Sequence, residues 1–273
     1  MISIICPIYN EERYIAKCID SILTQDFPHA EIEVFFIDGM SSDNTRSIVG
    51  KYANKYPFIY LLDNPQRVVP FALNIGIRAS KGEVIIRLDA HASYPNNYVS
   101  ALVSNLVRLK ADNVGGVCQT LPTNNNAESV AIAEALSCCF GMGNSYFRIG
   151  ATKERLVDTV PFGCFRRDIF DRIGLFDEEL IRNQDDEFNG RIVKNGGKIY
   201  LIIFIMSIIF YGVCGYCAYN IINNSTLSMV STSMFTALGL VTFIAGTYML
   251  FYSLAYIIIF VKNKYTSFKY EYT

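Results

Sequence analysis

Residues 2–12 of the chain read ISIICPIYNEE, a mostly apolar run that ends in a tyrosine, an asparagine and two glutamates. A run of this length and composition predicts a strand that is buried on both faces of a sheet. Apolar residues then recur at positions 15, 18, 19, 22 and 23, which is the spacing of one helix face. The stretch therefore predicts a strand, a polar loop and a helix. It has no basic flank typical of a signal peptide, so we expect this segment to stay in the cytosol.

The same alternation continues along the chain. Apolar runs of strand length cover residues 32–37, 59–62 and 84–88, and a segment of helical period follows each of them. Repeated β-α-β units predict an α/β fold of the Rossmann-like type, with a mainly parallel sheet covered by helices on both faces. In such sheets ligands bind beyond the carboxyl ends of the strands. The polar clusters of this sequence fall at that edge.

Two of the predicted strands end in acids. Asp38 closes the second, where it either forms the turn or accepts hydrogen bonds from a ribose or a base. Asp89 and His91 follow the fourth strand two residues apart, so they point the same way in extended backbone. Carboxylate and imidazole ligands together suit Mn²⁺, and they suit Mg²⁺ less well because of the histidine. A capping aspartate beside a surface histidine is an equally open interpretation of this triplet alone.

An acidic run, Asp185-Asp186-Glu187, opens a predicted short helix. It could be an ordinary acidic first turn. However, direct displacement of a nucleotide from a sugar needs one carboxylate to deprotonate the incoming hydroxyl. The reaction also needs stabilisation of the departing diphosphate by a cation or by dipoles. The strand-end acids and the acidic helix start together supply those two parts.

In their order along residues 1–200, these motifs resemble family 2 of the glycosyltransferases, whose fold is GT-A. The stretches that carry the resemblance are CPIYNEE at 6–12, IDG at 37–39, SDNT at 42–45, ALNIGI at 72–77, KGE at 81–83, RLDAH at 87–91, VPFG at 160–163, GLFDE at 174–178 and QDDE at 184–187. The DAH form and the stretch DTVPFG at 158–163 are most similar to succinoglycan-type exopolysaccharide glycosyltransferases.

The resemblance implies a nucleotide pocket and a metal site. Asp38 would contact the base or ribose, and Asp89 would lie by the ribose and the metal. His91 would occupy the usual metal-ligand position, where the family has a second aspartate, so Mn²⁺ is expected and Mg²⁺ is possible. The residues implied to bind the nucleotide are Pro7, Tyr9, Glu11, Asp38 and Asp89.

The resemblance also implies a catalytic base. Asp185 aligns with the aspartate that takes this role, counting back from Arg191, and Asp186 is the reserve candidate. Family members with this layout invert the anomeric carbon by a single displacement. The chain has no tryptophan, so the Gln-x-x-Arg-Trp motif of processive polysaccharide synthases is absent and transfer of one sugar is favoured.

A metal-dependent, inverting hexosyltransferase is therefore the leading interpretation. The expected donor is a nucleotide-sugar, with UDP favoured by family frequency. The expected acceptor is a lipid-linked saccharide, a growing polysaccharide or polyprenyl phosphate. The alternative is a catalytically inactive or truncated membrane-anchored protein that keeps this fold for scaffolding. The sequence has no basic patch that would indicate a nucleic-acid partner.

The apolar end of the sequence predicts a membrane anchor. Residues 199–261 contain no Asp, Glu, Lys, Arg or His. Within them, 199–219 and 235–261 are each long enough to cross a hydrocarbon core of about 30 Å. Lysines at 194, 198, 262, 264 and 269 flank the two spans, so the positive-inside rule places both termini in the cytoplasm.

We therefore expect a GT-A domain over residues 1–198, two transmembrane helices over 199–261 and a short cytoplasmic tail over 262–273. One overlap is left open. The resemblance implies a last strand of the soluble domain at about residues 199–201, where the first predicted span also begins.

Overall fold

The computed structural model describes residues 1–122, 126–143 and 145–203, in which strands and helices alternate. The strands are β1 (Ile2–Ile8), β2 (Ile32–Asp38), β3 (Ile59–Asp63), β4 (Val84–Arg87), β5 (Asn113–Gly116), β6 (Arg155–Val157), β7 (Cys164–Arg166) and β8 (Ile199–Ile202). The helices are α1 (Ile15–Leu23), α2 (Thr45–Lys55), α3 (Val69–Ala79), α4 (Tyr98–Arg108), α5 (Ala127–Ser137), α6 (Cys139–Met142), α7 (Tyr146–Ile149), α8 (Asp168–Ile173) and α9 (Gln184–Lys194), with one 3-10 turn at His29–Glu31.

The strands form one mixed sheet in the order β3-β2-β1-β4-β7-β5-β8-β6. The pairs β2/β3, β1/β2, β1/β4 and β5/β8 are parallel, which confirms the predicted mainly parallel sheet. Strand β7 is antiparallel to both β4 and β5. The carboxyl ends of β1 to β4 therefore share one edge of the sheet, and the start of β7 lies at that same edge.

The alternation of side chains along β1 divides the core into two layers. Ile4 packs in a cluster with residues of α1, α2 and α4, whereas its neighbour Ile5 packs in a cluster with residues of α3, α8 and α9. Within the second cluster, the rings of Phe165, Phe170, Phe176 and Phe188 pack together, with centroids 4.4–6.3 Å apart. Both faces of the sheet are thus covered, as the β-α-β pattern predicts.

The ALNIGI motif of α3 brings that helix close to the sheet. A Cβ added at Gly76 would lie 2.6 Å from Cγ2 of Ile5, so a larger residue would push the helix away. The Asn74 amide donates to the carbonyl of Phe176 at 2.9 Å and accepts from the Phe176 N–H at 3.0 Å. These two motif positions therefore serve packing, and they join α3 to the GLFDE segment.

The sheet includes residues that the sequence also predicts as the start of a membrane span. Residues Ile199–Ile202 form β8, which pairs with β5 and β6 and lies in the core. A span beginning at residue 199 is therefore wrong, and the GT-A domain extends beyond 198. The rest of that span, the predicted span 235–261 and the tail 262–273 lie outside the described residues. None of the helices in the described part of the chain has both the length and the apolar character that a bilayer crossing requires.

Candidate active site

The loops that follow β1 and β2 are hydrogen bonded to each other at the carboxyl edge of the sheet. The backbone N–H of Asn10 donates to the Ser41 hydroxyl at 2.9 Å, and the side-chain Oδ1 of Asn10 accepts from the Ser42 N–H at 2.9 Å. The Glu11 N–H donates to the Thr45 hydroxyl at 2.7 Å. These bonds fix the backbone that carries Glu11, and they hold it beside the end of β4.

Glu11, Asp89 and His91 form a group that could hold a metal ion. Nδ1 of His91 lies 3.1 Å from Oε1 of Glu11 and 3.0 Å from Oδ1 of Asp89. One ligand atom from each of the three residues lies within 4.8 Å of the others. Two carboxylates and an imidazole suit a divalent cation such as Mn²⁺, which accepts both oxygen and nitrogen ligands. The predicted pair of Asp89 and His91 is thus brought together, and Glu11 joins it.

The backbone of Asp89 is held by a buried tyrosine. The Asp89 N–H donates to the hydroxyl of Tyr94 at 2.7 Å, and that hydroxyl donates to the Asp89 carbonyl at 3.1 Å. Tyr94 is only 9% exposed. These two hydrogen bonds fix the backbone of Asp89, as residues next to a metal ligand commonly fix its orientation.

The two carboxylates favour a protonated His91 when no cation is bound. The hydrogen bond to Asp89, with a further contribution from Glu11, raises the pKa of His91 to about 9. At neutral pH the imidazolium therefore bridges the two acids. A cation that takes the imidazole nitrogen must displace this proton, as is general for histidine ligands.

The group borders a small cleft at the carboxyl edge of the sheet, with a volume of about 180 Å³. Five predicted site residues line it, namely Pro7, Tyr9, Glu11, Asp89 and His91. The other residues of this cleft that bear on recognition are Gly39, Asn64, Arg67 and Arg87. A second hollow of about 530 Å³ between α3 and residues 175–179 shares no lining residue with it. We place the chemistry in the smaller cleft because it contains the candidate metal ligands.

Asp38 lies at the end of β2, where its carboxylate binds other groups of the protein. Its side chain is completely buried, and it is not among the residues that line the cleft. Its carboxylate accepts hydrogen bonds from the Ser41 N–H at 3.0 Å, from the Ser41 hydroxyl at 2.5 Å and from the Arg46 guanidinium at 2.6 Å. These contacts shape the loop from Gly39 to Ser42. The expected contact of Asp38 to a base or ribose stays a prediction.

We expect Asp38→Asn to lower the free energy of unfolding by about 1–3 kcal/mol, because an amide offers one acceptor oxygen where the carboxylate accepts three hydrogen bonds from Ser41 and Arg46. The matched control is Asp63→Asn. Asp63 binds the same guanidinium at 2.8 Å but its side chain is 57% exposed, so the loss should stay below about 1 kcal/mol. Urea unfolding of the purified protein measures both. A fully stable Asp38→Asn protein that no longer discriminates between nucleotide bases would indicate that Asp38 contacts the base directly.

Asp185 joins the site from the first turn of α9. It forms an ion pair with Arg87, whose side chain lines the cleft two residues before Asp89. Burial raises the pKa of Asp185, whereas the nearby Arg87 acts in the opposite direction. Asp185 itself does not line the cleft. Asp185 is connected to the cleft by its ion pair with Arg87.

Asp186 faces a different part of the molecule. Its Oδ1 accepts a hydrogen bond from the hydroxyl of Thr159 at 2.7 Å. Thr159 in turn accepts from the side-chain amide of Asn189 at 2.9 Å. Of the two adjacent acids, Asp185 is therefore the one that the geometry connects to the metal group.

Three residues that the sequence analysis left without a role belong to the cleft. Asn64 and Arg67 follow β3, and Asn64 is 2% exposed while its Oδ1 finds no hydrogen-bond partner in the described part of the chain. Arg67 has a left-handed backbone, with a φ of 62°. Arg87 is a charged residue within an otherwise apolar strand, and that was the one signal in the sequence that could have indicated it.

Comparison with known proteins identifies relatives of this chain. The family model of Glycosyl transferase family 2 matches residues 3–174. A Methanococcus voltae protein, the dolichyl N-acetyl-alpha-D-glucosaminyl phosphate 3-beta-D-2,3-diacetamido-2,3-dideoxy-beta-D-glucuronosyltransferase, is 30% identical over 73% of this chain and 63% of its own. The succinoglycan biosynthesis protein ExoA of Rhizobium meliloti is 30% identical over 72% of this chain and 59% of its own. The chain thus spans about six tenths of the length of these relatives.

A solved structure supports the assignment of the fold. A mannosyltransferase from Pyrobaculum calidifontis, in complex with GDP-Man and Mn²⁺, superposes with a TM-score of 0.55 and 23% sequence identity. The match covers 74% of this chain and 56% of the mannosyltransferase. This likeness shows the shared GT-A fold.

Proposed function

Because the chain belongs to family 2 of the glycosyltransferases, we propose that it transfers one sugar from a nucleotide-diphosphate-sugar to a lipid-linked or polysaccharide acceptor, with inversion at the anomeric carbon. The observation that carries this proposal is the convergence of two acids from distant parts of the chain. Asp89 follows the end of β4 by two residues and Asp185 lies in the first turn of α9, and Arg87 contacts Asp185 at one edge of the sheet.

The proposed reaction is a single displacement. Asp185 accepts the proton of the acceptor hydroxyl, the acceptor oxygen forms a bond to the anomeric carbon, and the bond from that carbon to the diphosphate oxygen breaks. The electron pair of the broken bond leaves with the nucleoside diphosphate. A divalent cation held by Asp89 and His91, with Glu11 beside them, would neutralise the charge on this leaving group.

The nucleotide would occupy the cleft between β1, β2 and the loop after β3. Pro7, Tyr9 and Gly39 line its wall, and Tyr9 is 49% exposed, so its ring is available to a base. Oδ1 of Asn64 has no hydrogen-bond partner among the described residues, so it offers an acceptor for a base or ribose donor, because a buried oxygen without a hydrogen bond is costly. We expect UDP as the nucleotide, in line with the prediction from the sequence.

We further propose that the apolar end of the chain anchors it to the cytoplasmic face of a membrane, where a lipid-linked acceptor would lie. Since β8 ends at Ile202, the first span is left with residues 203–219, a stretch of 17 residues. This length is at the lower limit of the range of about 17–25 residues for a spanning helix. The name of the Methanococcus voltae relative includes a dolichyl-linked sugar phosphate, which supports an acceptor of this class.

The experiment that tests the proposed function is a donor screen. Membranes from cells that express the full chain are washed with carbonate, and the protein is purified in detergent. It is then given a panel of UDP-, GDP- and TDP-sugars with Mn²⁺. We expect the protein to stay with the washed membranes and to release the nucleoside diphosphate from one donor only when the cation is present. Recovery in the carbonate wash would contradict the anchor, and no release from any donor would favour the scaffolding alternative.

A further inference from the structure

Arg87 is a buried cation in an unusual position. It is the last residue of β4, and only 7% of its surface is exposed. A buried charge requires a partner to offset the loss of hydration. Asp185, which is 98 residues further along the chain, supplies that partner. The last residue of the strand that leads to the metal ligands is therefore bound to the candidate base.

The guanidinium is held by more than this ion pair. Its carbon lies 5.2 Å from the ring centroid of Phe162, within the range of a cation–π contact. The backbone N–H of Arg87 donates to the carbonyl of Gly163 at 3.0 Å, which fixes the main chain that carries the guanidinium, and Phe162 has a left-handed backbone with a φ of 50°. The Nε of Arg87 has no hydrogen-bond partner within residues 1–122, 126–143 and 145–203. Its orientation toward Asp185 is thus set by the loop before β7.

The position of α9 depends on other contacts. The side-chain amide of Asn189 donates to the carbonyl of Val160 at 2.8 Å and to the hydroxyl of Thr159. Its side-chain oxygen accepts from Asn113 of β5 at 2.8 Å. Both asparagines are almost fully buried. Loss of Arg87 should therefore change the environment of Asp185 without moving the helix that carries it.

Within the described part of the chain, two acids near Asp185 oppose its ionisation and Arg87 favours it. Burial is the largest influence that raises the pKa of Asp185, and the negative charges of Asp186 and Asp89 add to it. Arg87 lowers this pKa through its charge and its hydrogen bond. A general base must be ionised at the working pH. Of these neighbours within the described residues, Arg87 is the one that favours the ionised form of Asp185.

We propose that Arg87 is a positioning residue that keeps the Asp185 carboxylate ionised and aimed at the acceptor hydroxyl. This inference rests on the proposed function, in which Asp185 is the base. Strand β4 would then have two roles. Arg87, its last residue, would orient the base, and Asp89, two residues later, would hold the metal.

The test is the pH dependence of the reaction in the Arg87→Gln protein. The donor is the nucleotide-sugar that the screen selects, and water is the acceptor, so that release of the nucleoside diphosphate is the signal. The assay uses saturating Mn²⁺, at which a histidine ligand has already given up its proton, so that activity then rises with pH as Asp185 loses its proton. Removal of the positive charge raises the pH at which this happens. We expect the acidic limb of the profile to shift to higher pH by about one unit. At pH values below the limb this shift is a tenfold loss of rate, and the rate recovers at higher pH.

The matched control is Arg172→Gln. Arg172 pairs with Asp112 at 2.6 Å and is not part of the cleft, so the acidic limb should stay in place. Arg87→Lys serves if the glutamine protein does not fold. The lysine keeps a charge without the planar fork, and we expect a smaller shift in the same direction. A loss of rate that is equal at every pH in either variant overturns the inference.

A failure of this inference can be distinguished from a failure of the proposed function. If Asp185→Asn is inactive but the Arg87 variants leave the acidic limb unmoved, the base stands and the role of Arg87 is wrong. If Asp185→Asn keeps its activity, the assignment of the base itself is wrong.

Discussion

Replacement of Asp185 by asparagine is expected to lower the rate of sugar transfer by about a thousandfold, within the range of general base catalysis. Asparagine keeps the shape of the side chain and can still accept a hydrogen bond from Arg87. It cannot take up the proton of the acceptor. Because Asp185 does not line the cleft proposed for the nucleotide, the dissociation constant of the donor should change by less than about threefold.

Two measurements separate these effects. Initial rates with saturating donor report the chemical step, and calorimetric titration with the nucleoside diphosphate reports binding. The matched control is Asp186→Asn, whose carboxylate is bound to Thr159 rather than to Arg87, and it should retain most of the activity. An Asp185→Asn protein that loses nucleotide binding to the same extent as its rate would count against Asp185 as the base, and an inactive Asp186→Asn protein would transfer the role to its neighbour.

Replacement of His91 by alanine is expected to lower activity by about a hundredfold at a fixed Mn²⁺ concentration. The variant removes the imidazole from a group of three potential ligands. It should also raise the Mn²⁺ concentration that gives half of the maximal rate. The matched control is His29→Ala, which removes the other histidine of the chain. His29 lies in the 3-10 turn before β2, where its ring contacts the Leu23 carbonyl at 3.1 Å, and its loss should leave the metal dependence unchanged.

The identity of the side chain at position 91 should also set the choice of metal. The unmodified protein is expected to prefer Mn²⁺ over Mg²⁺, because imidazole is a poor ligand for Mg²⁺. His91→Asp replaces it with the acid that is usual in the family. We expect this variant to keep activity and to show a higher ratio of Mg²⁺-supported to Mn²⁺-supported rate. An unmodified enzyme that clearly prefers Mg²⁺, or a ratio that His91→Asp does not alter, would show that His91 is not a ligand.

The parts of the fold with long apolar runs could be predicted from the sequence. The runs at residues 2–8, 32–37 and 59–62 correspond to β1, β2 and β3 with shifts of at most one residue. Strand β4 falls within the predicted run 84–88, but strands β5, β6 and β7 could not be placed in this way. Strands β5, β6 and β7 have only three or four residues each, and such short segments carry no measurable period.

The overlap at residue 199 has a physical cause. A strand that is buried on both faces of a sheet and the beginning of a membrane helix have the same apolar composition. Only the pairing of Ile199–Ile202 with β5 and β6 identifies these residues as a strand. Composition alone could not supply that pairing.

The site was predictable where a motif is local and unpredictable where a partner is distant. Asp89 and His91 are two residues apart, and their placement on one edge follows from the strand. The burial of Asp38 depends on Arg46, which reaches back across the loop to its carboxylate. Glu11 meets His91 across 80 residues of sequence, and no pattern in the chain indicates that contact.

The most direct measurement is the position of Mn²⁺ in crystals of the protein grown with the nucleoside diphosphate of its donor. Anomalous scattering at the manganese edge locates the ion without reference to any assigned role. We expect one strong peak bonded to Asp89 and His91, close to Glu11, with the diphosphate on the ion and the Asp185 carboxylate facing the same cleft. A peak at any other cluster of acids, or a nucleotide bound away from this edge of the sheet, would contradict this expectation.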